Sequence, residues 1–139
     1  MDIVLDESPH GDDEQVVHDG LLAFNVGYIG EPGFRSIACF LRDDAGEVVG
    51  GLLGNVKWRW LYISAFWLPR ALRGQGHGRR LMQETERWAW ASGCLGIHLD
   101  TFEHQALPFY QKLGYEVFGV LEGYPPQSRQ YFLRKARPE

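Results

Sequence analysis

The stretch LRGQGHGRRLM, residues 72–82, sets Gly74, Gly76 and Gly78 among Arg73, Arg79 and Arg80. Glycine permits positive φ and lets another group approach the backbone. An amphipathic run follows at once, so the stretch reads as a turn that opens into a helix. The first turn of a helix carries N–H groups without partners, and its dipole favours negative charge. The chemistry this allows is anion binding, with phosphate the usual guest. A turn that needs glycine only for steric reasons is the alternative, although three arginines exceed what such a turn requires. A P-loop is excluded, because no Lys-Ser or Lys-Thr occurs. A dinucleotide fingerprint fits Gly74 and Gly76, with Asp100 near the place of a ribose-binding acid. It puts Arg79 where helix–strand packing wants a small residue, in a chain too short for two nucleotide-binding halves.

A second group of reactive side chains lies further on. In CLGIHLDT, residues 94–101, strand alternation sends His98 and Asp100 to one face, away from Leu99. Asp100 sits at the C-terminal end of that strand, where sites cluster in open α/β sheets. Its role is either in a site or as a cap for the loop TFEHQ. Glu103 and His104, and Glu122 and Tyr124 of the EGYPP loop, are further titratable candidates. Trp58, Trp60, Tyr62 and Trp67 form an aromatic cluster, and aromatic faces and carboxylates both favour ammonium groups.

The elements that must position these residues alternate. DIVL, residues 2–5, reads as a short strand. Ser8-Pro9 reads as the start of a helix with Val17, Leu21, Phe24 and Tyr28 on one face, ending near Gly27 or Gly30. Strands are expected over 36–42 and 47–56, joined by the turn DDAG, and over 58–68. A helix with the stripe Leu81, Met82, Thr85, Trp88 and Ala89 follows the glycine stretch and stops at Ser92-Gly93. Then come the strand 94–101, a helix from Gln105 to Leu113, and strands 115–121 and 129–135. Helices alternate with strands, but hairpins also occur, which argues a mixed α/β arrangement rather than a doubly wound parallel sheet.

Composition narrows the class. The 139 residues suffice for one domain, 1–139, with one core. The net charge of −4 argues against a general nucleic-acid binder, and no apolar run is long enough for a bilayer. The first 34 residues hold eight acids and no Lys or Arg, whereas all 14 basic residues lie from Arg35 onward. That acidic segment reads either as a wall for a cationic ligand or as a solvated helix start. Cys39 and Cys94 sit in apolar stretches without metal-ligand spacing, so reduced thiols of a cytoplasmic protein, with no metal, are expected. The start MDIVLDES lacks the pattern of a secretory signal.

Two motifs resemble one family. Arg73-x-x-Gly76-x-Gly78, between an apolar strand and an amphipathic helix, is similar to the acetyl-CoA signature of the GNAT superfamily of N-acyltransferases. Ala106-Leu-Pro-Phe-Tyr110-Gln-Lys-Leu113-Gly114-Tyr115 resembles that superfamily's Ala-x-x-x-Tyr-x-x-x-Gly-Phe/Tyr segment. The resemblance covers residues 47–135 well and the first 35 only by element order. It implies a GNAT fold: a mixed, mostly antiparallel central sheet with splayed fourth and fifth strands, flanked by helices on both faces. Those strands would be 58–68 and 95–101.

The resemblance also implies roles. The cosubstrate would be acetyl-CoA, its pyrophosphate held on Arg73, Gly74, Gln75, Gly76, His77, Gly78 and Arg79. Its pantetheine arm would pair with the backbone of Phe66 and Leu68 like an added strand. The reaction would be attack of a neutral amine on the thioester in a ternary complex, the acceptor being a small cationic molecule or a protein. Tyr110 would protonate the departing sulfur, and a phenol is protonated at neutral pH. Asp100 is the candidate base, with His98 and His104 as weaker participants, and a water chain with no dedicated base is the other option. The chain departs from the family in three places. Strand 58–68 has no glutamate. Glu103 stands where many members carry Asn, seven residues before the motif tyrosine. Gln105 is the candidate to supply that amide to the cofactor, and His77 replaces an Ile or Val. A catalytically weak acyl-CoA sensor of the same fold is the competing reading. Homodimers are common in the family, so a dimer is expected as well.

Overall fold

The computed structural model describes all 139 residues, which form two compact units, Met1–Pro32 and Gly33–Glu139. In the first unit, residues 2–5 form no strand, contrary to expectation, and are fully exposed. A strand exists only through a partner strand, and nothing pairs with DIVL. Helix α1 spans Gly11–Ile29. Its N-cap is His10 rather than Ser8: the His10 ring nitrogen Nδ1 accepts from the Asp12 N–H at 3.2 Å. Asp12, Asp13 and Glu14 in the first turn suit the positive end of the dipole. Gly30, with φ 79°, ends the helix. No residue of α1 is buried.

The second unit is a six-stranded sheet with spatial order β1-β2-β3-β4-β6-β5. The strands are β1 (Arg35–Arg42), β2 (Val48–Lys57), β3 (Trp60–Trp67), β4 (Gly96–Phe102), β5 (Glu116–Glu122) and β6 (Arg129–Ala136). All neighbours are antiparallel except β3 and β4. The β1–β2 turn is held by Asp43, whose Oδ1 accepts from Ala45 N at 3.0 Å and Glu47 N at 2.9 Å. The expected strand 58–68 is shorter at both ends. Trp58 and Arg59 take positive φ of 47° and 65° and turn β2 into β3, as a two-residue hairpin requires. Arg59 is anchored there, donating from Nε to the Gly93 carbonyl at 3.0 Å and accepting from Leu95 N at 2.7 Å.

Helix α2 (His77–Ala91) buries Leu81, Met82, Thr85 and Ala89, most of the expected stripe. Trp88 is half-buried, under the guanidinium of Arg35 at 5.2 Å. Helix α3 is shorter than expected, Leu107–Lys112, because the Gln105 side chain folds back to hold the preceding turn. Leu52, Val56, Leu61, Ile63, Ile97, Leu99 and Leu133 from one sheet face join Met82, Ala89 and Tyr110 of α2 and α3 in a single core. A half-buried charge cluster ties α2 to the far strands. Lys135 Nζ meets both Glu86 oxygens at 3.0 and 3.1 Å and donates to the Leu113 carbonyl, while the Tyr115 hydroxyl donates to Glu86 at 2.9 Å.

Removing one partner of such a pair leaves the other charge poorly solvated. Lys135→Met is expected to lower unfolding free energy by about 2 kcal/mol, less than the roughly 3–5 kcal/mol of a fully enclosed pair. Urea unfolding checks it, with an unchanged m-value showing that the fold itself is intact.

Candidate active site

The glycine turn expected between a strand and a helix is present, and its backbone takes the conformations the glycines allow. Gly74 and Gly76 have φ of 73° and 85°, and a Cβ at either would meet open space. Their need for glycine is therefore conformational. Gly78 differs. A Cβ there would lie 3.3 Å from the Phe109 ring and 3.5 Å from Leu68, so its need is close packing of α2 on α3. Arg73 points back, its Nε donating to the Leu68 carbonyl at 2.9 Å, and Gln75 Nε2 donates to the Ala71 carbonyl at 2.8 Å. Both side chains hold the turn to the end of β3 and the short 3-10 turn Arg70–Leu72. The backbone N–H groups of 74–79 find no acceptor within the protein, the condition for an anion cradle. His77 Nδ1 is buried without a hydrogen-bond partner.

The splay expected between the fourth and fifth strands lies between β3 and β4. Their parallel pairing runs from Trp60↔Gly96 to Ile63↔Leu99 and stops. At that point the β2–β3 register shifts, with Gly54 opposite Ile63 but Leu53 opposite Ala65, so Ser64 is an extra residue. Such a bulge bends the strand and increases its twist. The outer half of β3, Ser64–Trp67, is thus unpaired on its β4 side, while the outer half of β4 pairs with β6. Phe66 packs edge-on against Phe109 and Tyr110 at 5.9 and 6.4 Å.

Tyr110 is buried in the core, yet its hydroxyl makes no hydrogen bond within the protein. Burial first, and the Asp100 charge second, push its pKa up to about 12. Strand alternation puts Asp100 on the opposite sheet face, so its charge reaches Tyr110 across the splay. Asp100 does not cap the loop after β4. Gln105 does, its Oε1 accepting from Phe102 N at 2.6 Å and from the Thr101 hydroxyl at 3.1 Å. Instead Asp100 accepts from the Tyr62 hydroxyl at 2.7 Å. That bond, then burial, raises the Tyr62 pKa to about 12. His98 lies beside Tyr62 and Trp60, at ring distances of 5.0 and 6.1 Å. Burial lowers its pKa, Lys57 adds to this and Asp100 opposes it, so the imidazole is neutral at pH 7.

The other candidate acids are committed. Arg129 Nε pairs with Glu122 at 2.8 Å, and its terminal nitrogen reaches Glu103 at 3.8 Å. Asp100 has no ion pair. Phe102 stacks on His104 at 5.9 Å and meets Tyr124 edge-on at 5.3 Å, an aromatic rim at the end of β4. Sequence reasoning placed Tyr62 only in an aromatic cluster. The parallel register Tyr62↔His98 sets it one step from Asp100, and no local pattern reveals that register.

A six-stranded, mostly antiparallel sheet flanked by helices, with one parallel pair splayed above a helix-opening glycine turn, defines an acyltransferase architecture. The profile of the Acetyltransferase (GNAT) family matches residues 6–115, and the chain belongs to that family. It is an acetyltransferase with acetyl-CoA as cosubstrate. It is 34% identical to an acetyltransferase of Agrobacterium fabrum over 121 residues, 87% of this chain and 88% of that one. It is 36% identical to the blasticidin-S acetyltransferase of Streptomyces morookaense over 103 residues, 73% and 74% of the two chains. A crystal structure from Agrobacterium tumefaciens superposes with a TM-score of 0.91 at 31% identity, covering 99% of this chain and 100% of that one. No helix is long and apolar enough to cross a membrane.

Gly76→Val would force a branched residue to φ 85° at the mouth of the cradle. It is expected to weaken coenzyme A binding by more than about 10-fold, as strain of 1–3 kcal/mol implies. Isothermal calorimetry with coenzyme A measures it, and unchanged affinity would remove the turn from the phosphate site.

Proposed function

We propose that this chain, as one domain over residues 1–139, transfers the acetyl group of acetyl-CoA to a primary amine of a small cationic molecule or a protein. Transfer is by direct attack in a ternary complex. The observation that carries the reading is the unpaired outer half of β3, set between the N–H-rich turn 73–79 and the unbonded hydroxyl of Tyr110. Acetyl-CoA supplies an activated acetyl thioester. The N–H groups of the turn, with Arg79 beside them, hold the pyrophosphate, and the free backbone edge at Phe66 and Leu68 pairs with the pantetheine amides. The Leu68 carbonyl already accepts from Arg73, so Leu68 has its N–H left to offer. Gln105 has committed Oε1, and its Nε2 is what remains for a cofactor contact.

Asp100 takes the proton from the incoming ammonium, and Tyr62 keeps its carboxylate fixed toward the splay. Backbone N–H groups beyond the bulge face the oxygen on which charge develops. The C–N bond forms to give a tetrahedral oxyanion, the C–S bond then breaks as Tyr110 gives its proton to the sulfur, and the surplus proton on the new amide nitrogen is lost through water and restores the phenol. The high pKa keeps Tyr110 protonated through the neutral and mildly alkaline range. The cationic acceptor is supported by the aromatic rim of Phe102, His104 and Tyr124 beside an unpaired Asp100. It is also supported by the relative named for acetylating blasticidin S. A cytoplasmic location and the lack of nucleic-acid or membrane partners belong to the same proposal, on the strength of the net charge of −4 and the two free thiols.

Tyr110→Phe is expected to lower kcat on the order of 10²-fold with coenzyme A affinity nearly unchanged. Steady-state kinetics together with calorimetry separate the two effects, and undiminished kcat would remove Tyr110 as the acid. Thiol release from acetyl-CoA over a panel of amines identifies the acceptor class. Cationic amines are expected to turn over faster than neutral ones, and Asp100→Asn is expected to abolish most of that turnover. Equal rates for neutral amines would overturn the cationic assignment.

A further inference from the structure

Tyr110 is carried by an element that cannot hold itself in place. Helix α3 has six residues, Leu107–Lys112, fewer than two turns. So short a helix has no stability of its own in water. The Tyr110 ring is buried between Phe66, Phe109 and Tyr115, at 6.4, 5.2 and 6.1 Å. Its hydroxyl has no partner within the protein, so nothing at its tip fixes it. Where the phenol points therefore depends on what grips the two ends of α3.

The first end is held by Gln105, through Phe102 N and the Thr101 hydroxyl. The second end closes on Tyr110 itself. The Leu113 and Tyr115 N–H groups both donate to the Tyr110 carbonyl, at 3.0 and 3.1 Å. Gly114, with φ 93°, makes that turn. Lys135 of β6 lies across it, its Cε 3.6 Å from the place of a Cβ on Gly114. Lys135 Nζ donates to the Leu113 carbonyl at 2.8 Å and meets both Glu86 oxygens of α2 at 3.0 and 3.1 Å. Glu86 also accepts from the Tyr115 hydroxyl at 2.9 Å. These bonds close a ring that begins and ends in the turn 113–115 and passes through β6 and α2.

Two features set this ring apart from a surface ion pair. The Lys135 and Glu86 side chains are 22% and 13% exposed, against 52% and 68% for Arg134 and Glu116. Compared with an apolar pair of the same size, a pair so enclosed adds little stability, because desolvation offsets the attraction. What it adds is a defined geometry, since each group has fixed partners. The ring also engages only one of two neighbouring phenols. Glu86 binds the Tyr115 hydroxyl and leaves that of Tyr110 free. The Lys135 ammonium lies 5.6 Å from the centre of the Tyr115 ring, so a shift of Lys135 moves the ring against which Tyr110 packs.

We propose that Lys135, Glu86 and Tyr115 are positioning residues for the reaction: their ring fixes the C-terminal turn of α3 and so sets the Tyr110 hydroxyl at the splay. None of the three touches the reacting atoms. The proposal rests on the reading of Tyr110 as the acid. A misplacement of about 1 Å costs on the order of 10²-fold in rate, so loosening the ring acts on the chemical step. The turn 73–79 and β3, which hold coenzyme A, lie outside the ring.

A double-mutant cycle on the full chain tests it, with acetyl-CoA and the amine that turns over fastest. Lys135→Met and Tyr115→Phe are each expected to lower kcat about 10-fold, with KM for acetyl-CoA changed by less than about twofold. In a Tyr110→Phe background neither is expected to lower kcat further, since an absent acid cannot be misplaced. Equal losses in both backgrounds show general loosening and overturn the proposal. An undiminished kcat in either folded variant also overturns it. Tyr115→Phe keeps the ring and both charges, so it carries the test if Lys135→Met does not fold. Hydrogen exchange gives a readout apart from turnover. In both variants, exchange at residues 113–115 is expected to speed up more than at 61–63 of β3, and equal acceleration overturns the proposal. A Tyr110→Phe enzyme as fast as its parent overturns the acid reading and this proposal with it. Every other adverse result leaves that reading standing.

Discussion

The site depends on one extra residue in a strand. Ser64 has no counterpart in the β2–β3 ladder, and the β3–β4 pairing ends at the residue before it. A bulge inserts length on one side only, so the strand must bend. Bending β3 away from β4 frees backbone donors and acceptors that a sheet interior otherwise consumes. The cost is offset on the other side, where β2 stays paired to β3 through Trp67 and β6 covers the outer half of β4.

The same bend brings together groups that the sheet would separate. Tyr110 belongs to the core face and Asp100 to the opposite face, yet after burial, the larger cause, the Asp100 charge also raises the Tyr110 pKa. Two acidic groups with different surroundings therefore face one gap. The phenol, buried among Phe66 and Phe109, is held neutral, whereas the carboxylate keeps a single hydroxyl donor and no counter-ion. The committed acids show the contrast. Glu103 and Glu122 share Arg129, and Glu86 is bound by Lys135 and Tyr115. What distinguishes Asp100 is the absence of such a partner, not its residue type.

Much of this was legible in the sequence. The glycine turn, the stripe Leu81, Met82, Thr85 and Ala89, the alternation of His98 and Asp100, and the FYQKLGY segment are local patterns. A positive φ needs glycine, and a helical face repeats every three to four residues. The reading erred where local and tertiary preferences diverge. WRWLYISAFWL is apolar throughout, so nothing in it announces the turn at Trp58–Arg59 or the bulge at Ser64. Gln105 lies within a helical pattern, but its side chain competes for the backbone and starts the helix two residues later. DIVL has strand propensity without a strand to pair with.

The sequence by itself determined most of the elements, the family resemblance and the glycine turn, because each is written within a short window of residues. Only the tertiary structure decided which acid is free, which tyrosine supports it and where the sheet opens. Those outcomes rest on register between β3 and β4 and on ion pairs between residues far apart in the chain. A strand's side chains specify which face is buried, but they do not specify which residue of a neighbour they will meet.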